Sequence, residues 1–167
     1  SFNQSINNWN TLNVNYMGYM FGEASSFNQP LGNWNVSNVL NMANMFDSNF
    51  SFDQPIGDWN TYKVKEMNSM FSSTKFNQDM SKWNVSNVTN MNRMFRSTKS
   101  FNQPLNDWDV SNVTNMAHMF YMEVGKYKVP SVFNQPLDNW DVSNVLNMSY
   151  MFFGAKKFNQ SLNNWNV

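Results

Sequence analysis

The side chains that most often carry enzyme chemistry are scarce in this sequence. His118 is the one histidine, and there is no cysteine. A zinc site needs several nitrogen or sulfur ligands, and nucleophilic catalysis needs a nucleophile beside a base, so a lone histidine supports neither. The segment 124–129 contains one glycine and lacks the glycine frame of a phosphate-binding loop. The sequence therefore predicts a protein that is not an enzyme and that binds no cofactor.

Two pairs of aspartates are the next candidates, because carboxylates suit a hard cation such as Ca²⁺. Asp107 and Asp109 flank one tryptophan, and Asp138 and Asp141 lie beside a later one. In another copy of the same phrase, Lys82 occupies the position of Asp107. A position that also accepts lysine is not a metal ligand, and we therefore predict no metal site.

The elements that position these side chains are copies of one repeated phrase. The seven tryptophans lie at 9, 34, 59, 83, 108, 140 and 165, so that the spacing is 25 residues except for one interval of 24 and one of 32. A phenylalanine precedes each tryptophan by seven residues. One unit reads F-[ND]-Q-x-[LI]-x-x-W-[ND]-[VT]-S-N-V-x-N-M-x-x-M-F. A fixed period of about 25 residues is typical of proteins built from stacked structural repeats.

Within one unit the apolar spacing changes. The segment 105–110 has the spacing L-x-x-L-x-L and ends in alternating apolar and polar residues, which predicts a short strand with one buried face. The segment 113–120 carries apolar side chains at positions i, i+3, i+6 and i+7, which predicts a short helix. Ser111 precedes this segment and is a candidate N-cap. Each unit is thus predicted to be a strand, a turn, a short helix and a turn.

On this motif the chain resembles the BspA-like leucine-rich repeat family, in the variant that reads F-N-Q-P-L-x-x-W-[DN]-V-S-N-V-T-x-M-x-x-M-F. The resemblance covers essentially all 167 residues. It implies a curved, LRR-like solenoid and display on a surface, and it transfers no active site. Together with the spacing, it leads us to expect an α/β, LRR-like solenoid of about 25-residue repeats, with short parallel strands on one face and short helices on the other.

The asparagines of the repeat have two interpretations. Those in the F-N-Q phrase are expected to stack as a ladder inside the turns, at Asn28, Asn77, Asn102, Asn134 and Asn159. Those between the tryptophan and the valine are expected to face away from the core as a regularly spaced polar strip, formed by Asn35, Asn60, Asn84, Asp109 and Asp141. This strip is a candidate surface for a periodic partner such as a polysaccharide or a protein strand, and the alternative is that it is merely the solvated face.

One interval is seven residues longer than its counterparts, and the extra residues lie in the segment 121–132. Insertions in repeat arrays emerge as loops on one face and often contact partners. We therefore take Tyr121, Lys126, Tyr127 and Lys128 as a candidate interaction loop, against the alternative of a tolerated surface loop without a role.

Composition limits the class of partner. The formal net charge is zero and 13% of the residues are charged, which does not favour nucleic acid. No run approaches the roughly 18 apolar residues of a membrane span. We expect a non-catalytic, surface-exposed repeat scaffold that binds or adheres to a protein or a glycan. The alternative is a structural protein that packs laterally in a virion, a sheath or an extracellular filament.

The sequence begins at SFNQ and stops at WNV, both partway through the repeated phrase. We therefore expect residues 1–167 to be one repeat array of about six full units, excerpted from a longer chain. The expected location is the cell surface, the extracellular space or a virion.

Overall fold

The computed structural model describes residues 2–125 and 130–167. Within these ranges the backbone forms no helix and no extended strand, and its β-structure consists of isolated parallel bridges between neighbouring repeats. The bridges form one column, which pairs Tyr16 with Asn41, Asn41 with Glu66, Glu66 with Asn90, Asn90 with Asn115, and Asn115 with Asn147. The expected α/β, LRR-like solenoid of strands and helices is therefore wrong for the described part of the chain.

Each repeat is instead a succession of four-residue turns. In the second repeat the N–H of Trp34 donates to the carbonyl of Leu31 at 3.1 Å, Val39 donates to Val36 at 2.9 Å, and Met45 donates to Met42 at 3.2 Å. Because each of these bonds joins residues three apart, the apolar side chains spaced at i and i+3 mark the two ends of a turn. The segment 105–110 therefore does not form a strand: Trp108 bonds back to Leu105 inside its own repeat at 3.1 Å.

The predicted helix at 113–120 is also wrong, and the backbone dihedral angles give the reason. His118 has φ 60°, in the left-handed region, and Tyr19, Arg93 and Tyr150 occupy the same repeat position with φ between 56° and 59°. An α-helix of L-residues needs negative φ at every position. A positive φ at the third residue of a turn is typical of a type II turn. Ser111 consequently caps no helix.

Alternate main-chain N–H groups of the M-x-x-M-F segment bond to the next repeat. Met42 donates to Glu66 at 2.9 Å, Asn44 to Asn68 at 2.8 Å, Phe46 to Met70 at 3.0 Å, and Ser48 to Ser72 at 2.9 Å. The N–H groups between them, such as those of Met45 and Asp47, close turns within the repeat. We call this arrangement the turn ladder, and it runs through residues 17–23, 42–48, 67–73, 91–97, 116–122 and 148–154. It satisfies the main-chain donors without forming a continuous strand.

A second ladder is formed by tryptophan side chains, most of which belong to the core. From Trp34 onwards, the indole N–H of each tryptophan donates to a main-chain carbonyl of the preceding repeat, as Trp34 does to Ile6 at 3.0 Å. The same bond, at 2.8–3.2 Å, is made by Trp59, Trp83, Trp108, Trp140 and Trp165. Buried indoles need such a partner. This indole ladder points towards lower-numbered repeats, whereas the turn ladder donates towards higher-numbered ones.

The core consists of the repeated apolar side chains, including most tryptophans of the indole ladder. The phenylalanines at the two ends of the motif stack on each other where one repeat meets the next, as in Phe46 against Phe52 with ring centroids 3.8 Å apart. The repeated methionines and valines of the central repeats are buried beside them. The apolar positions of the motif therefore form the core. The prediction that residues 1–167 are one array within a longer chain stays a prediction.

The segments between these stacked phenylalanines vary in length, and we call them the linkers. They are residues 22–26, 47–51, 72–75, 96–100, 121–132 and 153–157. One linker is a residue shorter than the common length, and the linker at 121–132 is seven residues longer. All differences in repeat length therefore fall on one side of the molecule.

Candidate functional site

The polar strip lies at the surface, as predicted, but its oxygens already have hydrogen-bond donors. Asn35, Asn60, Asn84, Asp109 and Asp141 are all exposed. The side-chain oxygen of each accepts the main-chain N–H two residues later, at 3.0–3.3 Å. At Asn35, Asn84 and Asp109 the following serine hydroxyl donates to the same oxygen at 2.6–2.7 Å. The strip therefore has a structural task in forming turns, and whether it also binds a partner stays a prediction.

Asp141 shows what this bonding does to a carboxyl group. The hydroxyl and the main-chain N–H of Ser143 hold the pKa of Asp141 below its ordinary value, because both stabilise the ionised form. The carboxylate is thus charged at neutral pH and turned towards its own backbone.

The asparagines of the F-N-Q phrase form the expected ladder. The oxygen of Asn77 accepts the main-chain N–H of Asn102 at 2.9 Å and the side-chain amide of Gln103 at 3.1 Å. The same arrangement begins at Asn3, Asn28, Asp53 and Asn134. These side chains are half-buried or exposed. Their prediction as a ladder between repeats is confirmed.

The aspartates considered for calcium lie in part around one cavity. Asp107, Asp109 and Asp141 line a cavity of about 310 Å³ beside Trp108, and Asp138 does not line it. In the described ranges, no three or more histidine, cysteine, aspartate or glutamate side chains are grouped so that they could hold a metal ion.

The insertion begins in a cluster of aromatic and cationic side chains. Tyr121 stacks on Phe153 with ring centroids 5.3 Å apart, and the guanidinium of Arg96 lies 5.3 Å from the centre of the Tyr121 ring. His118 lies between Tyr121 and Tyr150, at 5.5 Å and 5.1 Å. Tyr150 and Phe153 remain 61% and 43% exposed. We call these five residues the aromatic cluster.

Of the predicted interaction loop, only Tyr121 is among the described residues, and it belongs to the aromatic cluster. Lys126, Tyr127 and Lys128 lie outside the described residues. Their proposed role in binding stays a prediction.

His118 lies inside the aromatic cluster. It is half-buried, and its Nδ1 atom is buried without a hydrogen-bond partner among the described residues. Burial lowers the pKa of His118, and the positive charges of Arg93 and Arg96 lower it further, because both effects disfavour the imidazolium. The ring therefore acts as a neutral aromatic group in the cluster at neutral pH.

The linkers enclose a second cavity, of about 320 Å³, which we call the linker cavity. Its lining residues come from four successive linkers and are Phe50, Ser73, Thr74, Lys75, Ser97, Lys99, Ser100, Met122 and Glu123. The main chain holds these linkers side by side, since Ser73 donates to Arg96 at 2.7 Å and Ser97 donates to Tyr121 at 2.8 Å. The cavity lies next to the aromatic cluster, because Glu123 forms an ion pair with Arg96 at 3.5 Å.

Sequence reasoning missed both the linker cavity and most of the aromatic cluster. The linkers share no residue pattern through all the repeats, so no period of the whole array marks their members. One signal was available: Lys75 and Lys99 stand in neighbouring linkers, each within two residues of the next F-N-Q phrase.

Comparison with known proteins gives one family. The family model described as "Mycoplasma protein of unknown function, DUF285" matches three overlapping segments, residues 1–75, 52–128 and 74–167, which together span the chain. No curated protein and no solved structure matches the chain. Across the described ranges, no helix is long and apolar enough to cross a membrane.

Proposed function

We propose that this chain, which belongs to the DUF285 family of repeat proteins of unknown function, is a non-catalytic scaffold that binds a protein or a glycan outside the cell. The observation that carries the proposal is the aromatic cluster. It exposes the side chains of Tyr150 and Phe153 on the stack of repeats, beside the half-buried Arg96, and tyrosine and arginine are enriched among residues that dominate binding energy.

The distribution of polar groups supports a scaffold role. The asparagine and tryptophan side chains that recur in every unit are engaged in turns or in bonds between repeats. The residues that differ between units, in the linkers and at the third position of the M-x-x-M turn, are therefore the ones available for recognition. We further propose that these repeats are related to the BspA-like surface repeats, on the shared F-N-Q-P-L-x-x-W motif.

The first test concerns location. Intact source cells or particles are treated with a protease, and released peptides from 121–132 are identified by mass spectrometry, because insertions are preferred cleavage sites. Release without loss of an internal marker protein is the expected result. Protection until the cells or particles are disrupted would overturn external display and favour the structural-assembly alternative.

The second test concerns the binding surface. Tyr150→Ala is compared with Tyr19→Ala, which removes the same side chain at the same repeat position with similar exposure, 61% against 68%. Binding to partners captured on the immobilised chain from extracellular material should fall about tenfold for Tyr150→Ala, in line with the loss of one dominant contact. Tyr19→Ala should bind as the unsubstituted chain does. Equal binding by all three proteins would remove the aromatic cluster from the proposal.

A further inference from the structure

We propose that the linker cavity binds an acidic saccharide, meaning a sugar ring that carries a carboxylate or a sulfate group. This inference rests on the proposed scaffold function for its biological setting, and it deepens that function by naming the class of ligand. The cavity, of about 320 Å³, is at the lower end of the volumes of small-molecule sites, about 300–1,000 Å³.

The charge of the lining favours an anion. Lys75 and Lys99 come from adjacent linkers, and neither forms an ion pair with another described residue. The one acidic residue of the lining, Glu123, is bonded to Arg96 at 3.5 Å. Two like charges in neighbouring repeats repel each other, and an anion that binds between them replaces this repulsion with two attractions. The linker cavity is therefore suited to a carboxylate or a sulfate.

The hydroxyl groups of the lining favour a sugar over a bare anion. Ser73, Ser97 and Ser100 line the cavity, and the Oγ atom of Ser97 is buried without a hydrogen-bond partner among the described residues. A buried hydroxyl that lacks a hydrogen-bond partner destabilises the folded chain, and a ligand that supplies the partner removes this cost. Serine hydroxyls donate and accept, as sugar hydroxyls do, so that a saccharide can satisfy several of them at once.

One wall of the cavity is apolar. Phe50 is 63% exposed although it is a large aromatic residue, and the buried side chain of Met122 also lines the cavity. A sugar ring has an apolar face of C–H groups, and stacking it on Phe50 would remove both apolar surfaces from water. An inorganic anion would leave this wall uncovered. The combination of an apolar wall, hydroxyls and two ammonium groups is what identifies the ligand class.

The other cavity of similar size provides a contrast within the same chain. It measures about 310 Å³ and is lined by Asp107, Asp109 and Asp141, so it would repel the same ligand. Volume alone therefore does not determine the ligand, and we expect one acidic saccharide site in the described part of the molecule.

The inference is tested by isothermal titration of the purified 167-residue chain with three ligands. A heparin tetrasaccharide, which carries carboxylates and sulfates, should bind. Maltotetraose, which is neutral, and inorganic sulfate should each bind at least about tenfold more weakly. The double variant Lys75→Ala/Lys99→Ala and the single variant Phe50→Ala should each weaken the heparin tetrasaccharide by about tenfold or more. Thermal melting of every variant checks that it is folded.

The matched control is Lys156→Ala/Lys157→Ala, which removes the same charge from two exposed lysines of another linker. It should leave the affinity within about twofold. Equal weakening by the control and by Lys75→Ala/Lys99→Ala would mean non-specific attraction and overturn the site. Sulfate that binds as tightly as the tetrasaccharide would overturn the saccharide assignment, and so would the absence of heparin binding.

These results are separable from those for the proposed function. External release in the protease experiment together with no tetrasaccharide binding would overturn the ligand while supporting the scaffold. Binding that depends on Lys75, Lys99 and Phe50 would support the site, and protection from protease would then count only against external display.

Discussion

Two junctions between repeats differ most from the rest in linker length, and both keep the stacked phenylalanine rings and the indole hydrogen bond. At the short junction, between the repeats of Trp59 and Trp83, the linker 72–75 has lost a residue; at the long junction, between those of Trp108 and Trp140, the linker 121–132 has gained seven. The phenylalanine rings that flank the two linkers nevertheless stack at 4.1 Å and 4.2 Å. The indole bonds across the junctions are 3.0 Å and 2.8 Å long.

The comparison shows that the linker does not set how the repeats stack. The two ladders and the ring stacks hold each repeat on the next, and the rest of the linker only has to connect two points that are already held together. Closing a longer loop costs little additional free energy, about 0.6 kcal/mol for each doubling of its length. Residues for recognition can therefore change in the linkers without disturbing the core, and the linker cavity and the start of the insertion both lie there.

The test with the largest expected effect replaces the tryptophan at each junction. Trp83→Ala and Trp140→Ala should each lower the free energy of unfolding by about 3–5 kcal/mol, because a buried ring is lost and a carbonyl loses its donor. Urea denaturation measures the change. If the junctions are equivalent, the two losses should agree within about 1 kcal/mol, as expected for equal contacts. A much smaller loss for Trp140→Ala would show that the long linker loosens the stack.

Glycines provide the next test, since each irregular junction contains a tightly packed one. A Cβ at Gly57 would overlap the carbonyl oxygen of Asp79, and a Cβ at Gly154 would overlap that of Met122 at a position with φ 73°. Gly57→Ala should cost about 1–3 kcal/mol through overpacking, and Gly154→Ala should cost more because the left-handed conformation adds about 1–2 kcal/mol.

The control is Gly32→Ala, at the same repeat position as Gly57 but across a junction of ordinary length. Its Cβ would lie 3.8 Å from the carbonyl of Pro55, an ordinary contact. Its free energy of unfolding should stay within about 0.5 kcal/mol of the unsubstituted value. A loss equal to that of Gly57→Ala would mean that the tight contact is unrelated to the shortened linker.

A pair of substitutions with a smaller expected effect on stability tests whether the backbone is a turn or a helix at a junction of ordinary length. Arg93 is exposed and has φ 59°. Because glycine adopts positive φ without strain, Arg93→Gly should be more stable than Arg93→Ala by about 1 kcal/mol. In a helix the order would be reversed by a similar amount. Both variants lose the arginine side chain. The difference between their free energies of unfolding, measured by chemical denaturation, therefore reports the conformational preference of the backbone.

The smallest expected effect is a pH dependence of stability caused by His118, which lies at the long junction. The pKa of His118 is lowered in the folded chain by burial and by Arg93 and Arg96, so the unfolded chain binds more protons near pH 6. Stability is therefore fully present above the ordinary pKa of 6.5 and is lost as the pH falls below it. The melting temperature should decrease between about pH 7.5 and pH 5.5.

The control for this titration is His118→Tyr, which places at this position the residue that Tyr19 and Tyr150 already provide in other repeats. Its melting temperature should change less over the same range. An unchanged slope would assign the pH dependence to groups other than His118.

The comparison also explains which parts of the structure could be predicted from the sequence. Phe46, Met42 and Trp34 recur at fixed intervals, so their burial and their stacking across repeats follow from the period alone. The ladder at Asn77 and Asn102 could be expected for the same reason, since side-chain amides in equivalent positions can bond from one repeat to the next.

The backbone conformation could not be predicted in this way. Methionines at 116 and 119 fit one face of a helix, and they fit the two ends of a four-residue turn equally well. The conformation is decided by φ at residues such as His118 and Arg93, whose types do not indicate a left-handed backbone. A signal for turns existed in Asn115, whose oxygen accepts the N–H of Ala117 at 3.1 Å, because asparagine commonly bonds to the backbone two residues on.

The candidate sites were even harder to predict from the sequence. The strip at Asn35 and Asp109 was correctly placed at the surface, but a sequence does not show that these oxygens are engaged by their own turns. Phe50, Lys75 and Met122 come from three different linkers, and only the stacking of the repeats brings them around one cavity.

The opposite directions of the two ladders have an electrical consequence. In an α-helix all peptide dipoles point the same way and add up to a macrodipole. Here four main-chain N–H groups of the turn ladder point up the stack at each junction, whereas the indole N–H and further main-chain N–H groups, such as those of Asn28, Asn33 and Leu40, point down it, so that the contributions largely oppose each other along the axis. Adding repeats therefore does not build up a field. The attraction of a charged partner is set locally, by side chains such as Lys75 and Lys99, however many repeats surround them.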